Sequence, residues 1–407
     1  MNDHFDLLEV RSDDQRASEQ FEELRRILGF ALGHAVGLAA HLGEIDVEAV
    51  TDRAALSALP VLRKSDLSTR QAETPPFGGL TTRKPAHNSL IFMSPGPIFE
   101  PGGEARDWWR LGRFLHAAGL RMGDIVQNCF SYHLTPAGHM MESAVAAISA
   151  TTVPAGIGQT EMQVEAAHRI GSTAYAGTPD FLKVILEKAD ALGVTLSFTK
   201  AAVSGGALFP SLRQFYIDRG ISCHQAYATA DLGNVAYESA AMEGMIVDEG
   251  VIVEIVRPGT GDPVPDGEVG EVVVTALNTD YPLVRFATGD LSAVLPGASP
   301  CGRTNMRIKG WMGRADQTTK VKGMFVRPEQ VAQLAARHPE LTRLRLEVRR
   351  EGEADTLTLR AETTGADAEA IAASLPEVLK LRGTVDLVAP DSLPNDGKVI
   401  DDQRSYE

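Results

Sequence analysis

The chain has 407 residues, 43% hydrophobic and 23% charged, enough at roughly 100–200 residues per domain for two or three domains and a sizeable core; this excludes a small disulfide scaffold and a wholly disordered chain. With 39 basic against 54 acidic side chains the net charge is −15, the wrong balance for a general nucleic-acid or anionic-membrane binder, though not for a local cationic phosphate pocket. The three cysteines, Cys129, Cys223 and Cys301, are far apart and form no CxxC pair, which favours a reducing compartment.

The opening Met1-Asn2-Asp3-His4 lacks a basic run and does not read as a signal peptide. The apolar stretch 27–42 is interrupted by Gly29, Gly33, His34, Gly37 and His41, and it is shorter than the roughly 20 residues a membrane span needs. The expected location is the cytoplasm, with no membrane partner. Residues up to about 80 read as helical, because Phe21, Leu24, Ile27, Leu28 and Ala31 recur at helical spacing. The segment Leu59 to Leu67 reads as a turn into another helix.

From 88 to 205 short apolar runs at 90–93, 124–128, 151–154 and 173–176 alternate with helix-like segments at 104–118, 138–148, 160–170 and 179–192. That alternation predicts α/β layers around a largely parallel sheet. Residues 250–294 change character: strand-like 251–256 and 270–274 enclose a stretch punctuated by Gly259, Gly261, Pro263, Pro265 and Gly267. A last unit begins near Gly313. It offers strands at 318–321, 343–349, 356–361 and 384–388 and helices at 328–337 and 367–379, a small α+β domain.

Several segments suit chemistry on a nucleotide. In Thr288-Gly289-Asp290 glycine permits a tight turn and leaves an aspartate at a strand end, able to accept two ribose hydroxyls. Arg303, Arg314, Lys320 and Lys322 lie close in the chain and suit an anion. Pro394-Asn395-Asp396-Gly397-Lys398 can hold a lysine at the tip of a loop. Each alone is more commonly a capped or solvated turn.

In order and together, these segments resemble the adenylate-forming (acyl-CoA synthetase) superfamily, and within it the phenylacetate–CoA ligases. The resemblance starts at Lys64-Ser65-Asp66-Leu67. It continues through Gly177-Thr178-Pro179, Ser204-Gly205-Gly206-Ala207, Tyr227 to Gly233 and Pro265 to Glu271. It ends with Tyr281 to Arg285, Thr288-Gly289-Asp290, Cys301 to Thr304 and Gly313-Arg314-Ala315-Asp316. It implies a large N-terminal α/β domain with a β-rich subdomain (1–313) and a small mobile C-terminal α+β domain (314–407), hinged near Asp316. It also implies an enzyme that uses ATP, Mg2+ and coenzyme A to convert a small-molecule carboxylic acid, of aryl or arylacetic type, into a thioester through an acyl adenylate. A homodimer is suggested.

Carried over by position, Lys398 is the catalytic lysine and Asp290 holds the ribose. Arg314 lies by the nucleotide, and Ser204, Gly205, Gly206 and Ala207 flank adenine. Tyr227 stacks there, Ala228 and Thr229 follow it, and Asp231 faces Mg2+. Ser94 and Gly96 belong to the phosphate loop. Lys322 and Gly323 lie on the loop facing the CoA side, and Tyr132, His133, Gly156 and Gly158 line the acid pocket.

The chain departs from this pattern in the phosphate loop. Where the family has a Ser/Thr/Gly-rich run ending in Lys-Pro, residues 93–101 read Met-Ser-Pro-Gly-Pro-Ile-Phe-Glu-Pro. Two hydroxyl positions are Pro97 and Ile98, and the lysine position is Glu100. Proline also removes backbone donors. Two alternatives therefore stand beside the ligase: a relative that binds nucleotide or acyl-CoA without turnover, and an adenylating enzyme with another acceptor. The positions that hold a metal in some relatives are Ser239, Ile246, Ser299 and Cys301. Three of these are poor zinc ligands, so no structural zinc is expected.

Overall fold

Strand runs of four to eight residues separated by amphipathic segments can only pair in parallel if each helix carries the chain back across the sheet. In the computed structural model, which describes residues 4–315, 317–321, 324–351 and 354–404, they do so. The strands Thr151–Pro154, Ile125–Asn128, Ala174–Gly177, Lys200–Val203 and Ser222–Thr229 lie in that order, all parallel. The helices Ala137–Ala147, Thr160–Ile170, Pro179–Leu192 and Pro210–Ile217 make the crossovers. The sheet continues antiparallel through Gly233–Tyr237, Met245–Val247 and Arg307–Ile308. Both of its faces are covered. Ala174 and Ala202 pack with Phe114, Leu115 and Met141, while their neighbours Tyr175 and Ala201 pack with Val164, Leu182 and Ile185. Burial on both faces is why the central strands Ala174–Gly177 and Lys200–Val203 are buried at successive positions rather than alternating.

The chain divides into two compact units. One comprises Met1–Val253, Val274–Phe286 and Leu295–Trp311; the other comprises Glu254–Val273, Ala287–Val294 and Met312–Glu407. In the second unit the sheet order is Thr384–Val388, Ala354–Glu362, Arg343–Glu351, Ile400–Asp402. The two long strands are antiparallel and both edge strands are parallel to their neighbours. The helices Pro328–Arg337 and Ala368–Leu379 bury Val331, Leu334, Ile371 and Leu375 against Leu346, Val348, Leu357 and Leu359. Among the described residues no helix is long and apolar enough to cross a membrane.

Two sequence expectations are corrected. The helix expected over 104–118 is only Gly112–Ala117. Asp107 and Arg110 both have positive φ, and the Asp107 carboxylate accepts the Gly112 amide, so the chain before Gly112 is spent in turns. The apolar run near residue 90 does not join the parallel sheet. Leu90–Ser94 pairs with Ile98–Gly102 as a separate two-stranded hairpin, and Leu90 and Ile91 are exposed.

Candidate active site

The residues expected to form the phosphate loop make the hairpin Leu90–Ser94/Ile98–Gly102. Ser94 pairs with Ile98, so residues 95–97 form the turn. Of these only Gly96 has a backbone N–H to offer, since Pro95 and Pro97 have none. The hairpin is held from two sides. Gln71, buried on the helix Leu67–Glu73, accepts the Phe99 amide and donates to the Phe99 carbonyl, both at 2.8 Å. The Met93 amide donates to the Leu134 carbonyl at 2.9 Å.

Glu100 points inward and is fully buried. Ser94 donates its hydroxyl to Glu100 Oε1. Burial pushes the Glu100 carboxyl up to about 7, and nearby Asp231 adds to the rise. Asp231, also buried, accepts Lys64 Nζ on Oδ2 at 2.6 Å. Thus Lys64, Ser94, Glu100 and Asp231 form one cluster, joined by the buried Tyr281, whose hydroxyl feels both carboxylates. The Lys64–Asp231 pair spans 167 residues of sequence, and neither Lys64's partner nor Tyr281's place was visible in the chain order.

Asp231 sits in the turn after the strand Ser222–Thr229. That strand's pairing with Gly233–Tyr237 shifts register between Tyr227 and Ala228, a bulge of the kind that re-aims side chains beside functional sites. Gly233 has φ +72°, and a Cβ there would meet the Trp109 carbonyl oxygen at 2.6 Å, so only glycine fits. Thr229 Oγ1 accepts the Leu232 amide at 3.1 Å. Ser204 Oγ donates to the Ala226 carbonyl at 2.9 Å, tying the end of Lys200–Val203 to the neighbouring strand. Ser204, Tyr227, Ala228 and Thr229 are thus brought together at one sheet end. Gly205 and Gly206 are exposed beside Thr178 and Pro179, with half-buried Ala207 following.

The residues expected to line an acid pocket lie in the first unit. Tyr132 OH accepts Asn128 Nδ2 at 2.7 Å, while the same nitrogen donates to the Gly138 carbonyl. Burial raises the Tyr132 phenol well above its ordinary range, so it stays neutral. Its ring meets His139 edge-on, and His139 meets Phe92. His133 is exposed, so the structure does not bring it to Tyr132's partners. Gly156 and Gly158 are fixed through their carbonyls, which accept Gln163 Nε2 at 2.8 and 2.9 Å. Sequence reasoning passed over Asn128 and Gln163, and it ranked His139, like His133, as packing or pocket lining rather than as a base. A buried glutamine on an amphipathic helix was the only local signal.

In the second unit, Asp290 and Arg314 meet as an antiparallel bridge. The Leu291 amide donates to the Gly313 carbonyl and the Ala315 amide to the Gly289 carbonyl, at 2.9 and 2.8 Å. Arg314 Nη1 donates to Asp290 Oδ1 at 2.8 Å. The guanidinium lies over Gly289, where φ is +75° and a Cβ would stand 2.9 Å from Nη2. Glycine therefore serves the ion pair as well as the turn. Lys398 is exposed, donates to Asp401 at 3.0 Å and lines a small cavity with Val269, Arg343 and Asn395. Asp316, Lys322 and Gly323 lie outside the described residues. Cys301 is half-buried beside Ser299, whose hydroxyl lies 3.1 Å from the thiol. Burial raises that thiol, but hydrogen bonds from Ser239, Ser299 and Arg303 outweigh this and lower it.

No family model matches the chain. Phenylacetate-coenzyme A ligase of Thermus thermophilus is 29% identical over 265 residues, 62% of this chain and 59% of the relative. The enzyme of that name from Escherichia coli is 29% identical over 269 residues, 62% and 60% of the two chains. The chain therefore matches about three-fifths of the length of these curated relatives. A solved 2-hydroxyisobutyryl-CoA ligase in complex with 2-HIB-AMP and CoA superposes with a TM-score of 0.71 at 22% identity, over 98% of this chain and 92% of that one. Its postadenylation state gives 0.73 over 98% and 91%.

The chain has the fold of an adenylate-forming CoA ligase. Its sequence relatives are phenylacetate-coenzyme A ligases.

Proposed function

We propose that this protein is an ATP-dependent, AMP-forming carboxylate–CoA ligase acting on an aryl or arylacetic-type acid. The observation that carries the reading is the Asp290–Arg314 pair, 24 residues apart in sequence and 2.8 Å apart in space, at the two positions where the resemblance places nucleotide-binding residues. A substrate carboxylate oxygen bonds to the α-phosphorus of ATP as the bond to the bridging oxygen breaks and pyrophosphate leaves. The CoA thiolate then bonds to the acyl carbon and AMP leaves. Activation is needed because AMP is a far better leaving group than oxide.

Asp290 accepts the ribose hydroxyls in this scheme and Arg314 orients it. Lys398 stabilises negative charge on the forming acyl phosphate, the kind of charge stabilisation that dominates many enzyme rates. Asp231 would hold Mg2+; its Oδ1 is buried and makes no hydrogen bond among the described residues, the hard oxygen donor that magnesium takes. The ion offsets phosphate charge. Tyr132, His139 and Phe92 offer an aromatic wall to the acid. A mobile part beginning near residue 314, hinged at Asp316, and pairing of two copies belong to the same proposal.

A second reading, nucleotide binding without turnover, is favoured by Pro95, Pro97 and Glu100 in the phosphate hairpin. Pyrophosphate release with ATP, Mg2+ and a panel of aromatic, arylacetic and short aliphatic acids, with and without CoA, separates the two. The ligase releases pyrophosphate with one class of acid and forms its thioester when CoA is added. Folded protein that binds AMP but stays silent with every acid is the binder.

A further inference from the structure

We propose that Glu100 and Asp231 jointly hold a divalent cation of the magnesium class, with the Tyr281 hydroxyl as a third oxygen at its side. The inference starts from three buried oxygens. Glu100 Oε2, Asp231 Oδ1 and Tyr281 OH each make no hydrogen bond among the described residues, and their side chains are almost wholly inaccessible. Buried polar atoms are normally paired, and those that are not call for an unseen water or ion.

The three come from separate parts of the chain: the hairpin strand Ile98–Gly102, the turn after Ser222–Thr229, and the segment before Phe286. They nonetheless interact, since the charges of Asp231 and Glu100 both reach the Tyr281 hydroxyl.

The remaining oxygens of the two carboxylates are already used. Ser94 takes Glu100 Oε1 and Lys64 takes Asp231 Oδ2. These contacts fix the carboxylates and leave one oxygen of each unpaired. With both carboxylates ionised, one ammonium leaves an excess negative charge in a buried place, and a bound cation takes the place of the proton that burial otherwise holds on Glu100. All the donors are hard oxygens, the set that selects magnesium, manganese or calcium over softer metals. Magnesium in particular keeps several waters and takes one or two carboxylates, with substrate phosphates completing its shell.

Glu100 stands where the resemblance has a lysine. A protein-held cation there returns the positive charge that the substitution removed, so the altered hairpin keeps its use for a triphosphate. The choice of ion rests on the nucleotide reading above, which assigned Asp231 alone; the new element is Glu100.

The test is a Mn2+ titration of nucleotide-free protein, read by water-proton relaxation and electron paramagnetic resonance. Wild type is expected to bind one Mn2+ saturably and to release it to Mg2+. Glu100→Gln and Asp231→Asn, each close in size to the original, are expected to weaken binding at least tenfold. Lys64→Met removes the competing ammonium and is expected to tighten it, which keeps the inference testable should Glu100→Gln fail to fold. Absence of saturable binding in wild type, unchanged affinity in folded Glu100→Gln, or no tightening in Lys64→Met overturns the inference. Because no nucleotide or acid is present, loss of the ligase reading leaves this result standing. A working ligase with no nucleotide-free ion site overturns this inference alone.

Discussion

Asp290 reaches its partner through a two-stranded contact only three residues long on either side, so its role is separable from the stability of the fold. Arg314 is more than half exposed, and an ion pair with so open a partner contributes only about 0–1 kcal/mol to folding. Asp290→Asn should therefore leave the melting temperature nearly unchanged. It should weaken AMP binding by roughly 10–100-fold, the loss expected when a charged acceptor of hydrogen bonds becomes neutral; isothermal calorimetry with AMP checks both the binding and the intact fold. Lys398 is also half exposed and rests on Asp401. Lys398→Ala should keep the fold and lower pyrophosphate release by about 10²–10³, the usual effect of losing one charge-stabilising donor. Unchanged release would remove Lys398 from the mechanism.

Asp107 offers a test at the same scale away from the site. Burial pushes its carboxyl from 3.8 up to about 6, with Asp248 adding to the rise and the Gly112 amide opposing it. Its folded-state value is thus above the unfolded one. The stability it contributes is complete below 3.8 and is lost as the pH climbs through about 6. Asn carries no such charge and tolerates the positive φ that Asp107 adopts. Asp107→Asn should reduce the fall in melting temperature between about pH 4 and pH 7; an identical fall in both proteins would show that Asp107 titrates normally.

Among the elements, two hairpin-like turns show opposite designs. The turn between Ser222–Thr229 and Gly233–Tyr237 aims Asp231, and it depends on one glycine. Gly233→Ala places a methyl group on the Trp109 carbonyl and a non-glycine residue at positive φ. The backbone term alone costs about 1–3 kcal/mol, and the contact adds to it. Chemical denaturation should show that loss, together with weaker Mn2+ or nucleotide binding as Asp231 shifts. The hairpin at 90–102 shows the reverse design: Gln71 and the Leu134 carbonyl clamp its flanks, and prolines stiffen its tip.

The first unit also buries a charge network beside its apolar core. Asp248 is fully buried and accepts Arg110 Nε at 2.9 Å, Arg113 Nη1 at 3.1 Å and the Gly250 amide at 2.9 Å. Asp248→Ala would leave two guanidinium groups with one anion fewer, a loss of about 3–5 kcal/mol when one partner of a buried pair is removed. A denaturant midpoint unchanged by Asp248→Ala would show that the arginines find other partners or water.

The sequence by itself determined the alternation of strands and helices between 124 and 192 and the strands and helices between 328 and 388. These follow from local periodicity and from turn residues, which a chain carries in its own short-range pattern. Only the tertiary structure decided where the hairpin at 90–102 pairs, that Ser204 and Thr229 spend their hydroxyls on backbone partners, and that Gln163 fixes the Gly156–Gly158 loop. It alone placed Lys64 on Asp231 and Tyr281 beside Glu100. Buried polar groups must find partners wherever the fold puts them, and those partners come from any distance along the chain, so no local pattern announces them.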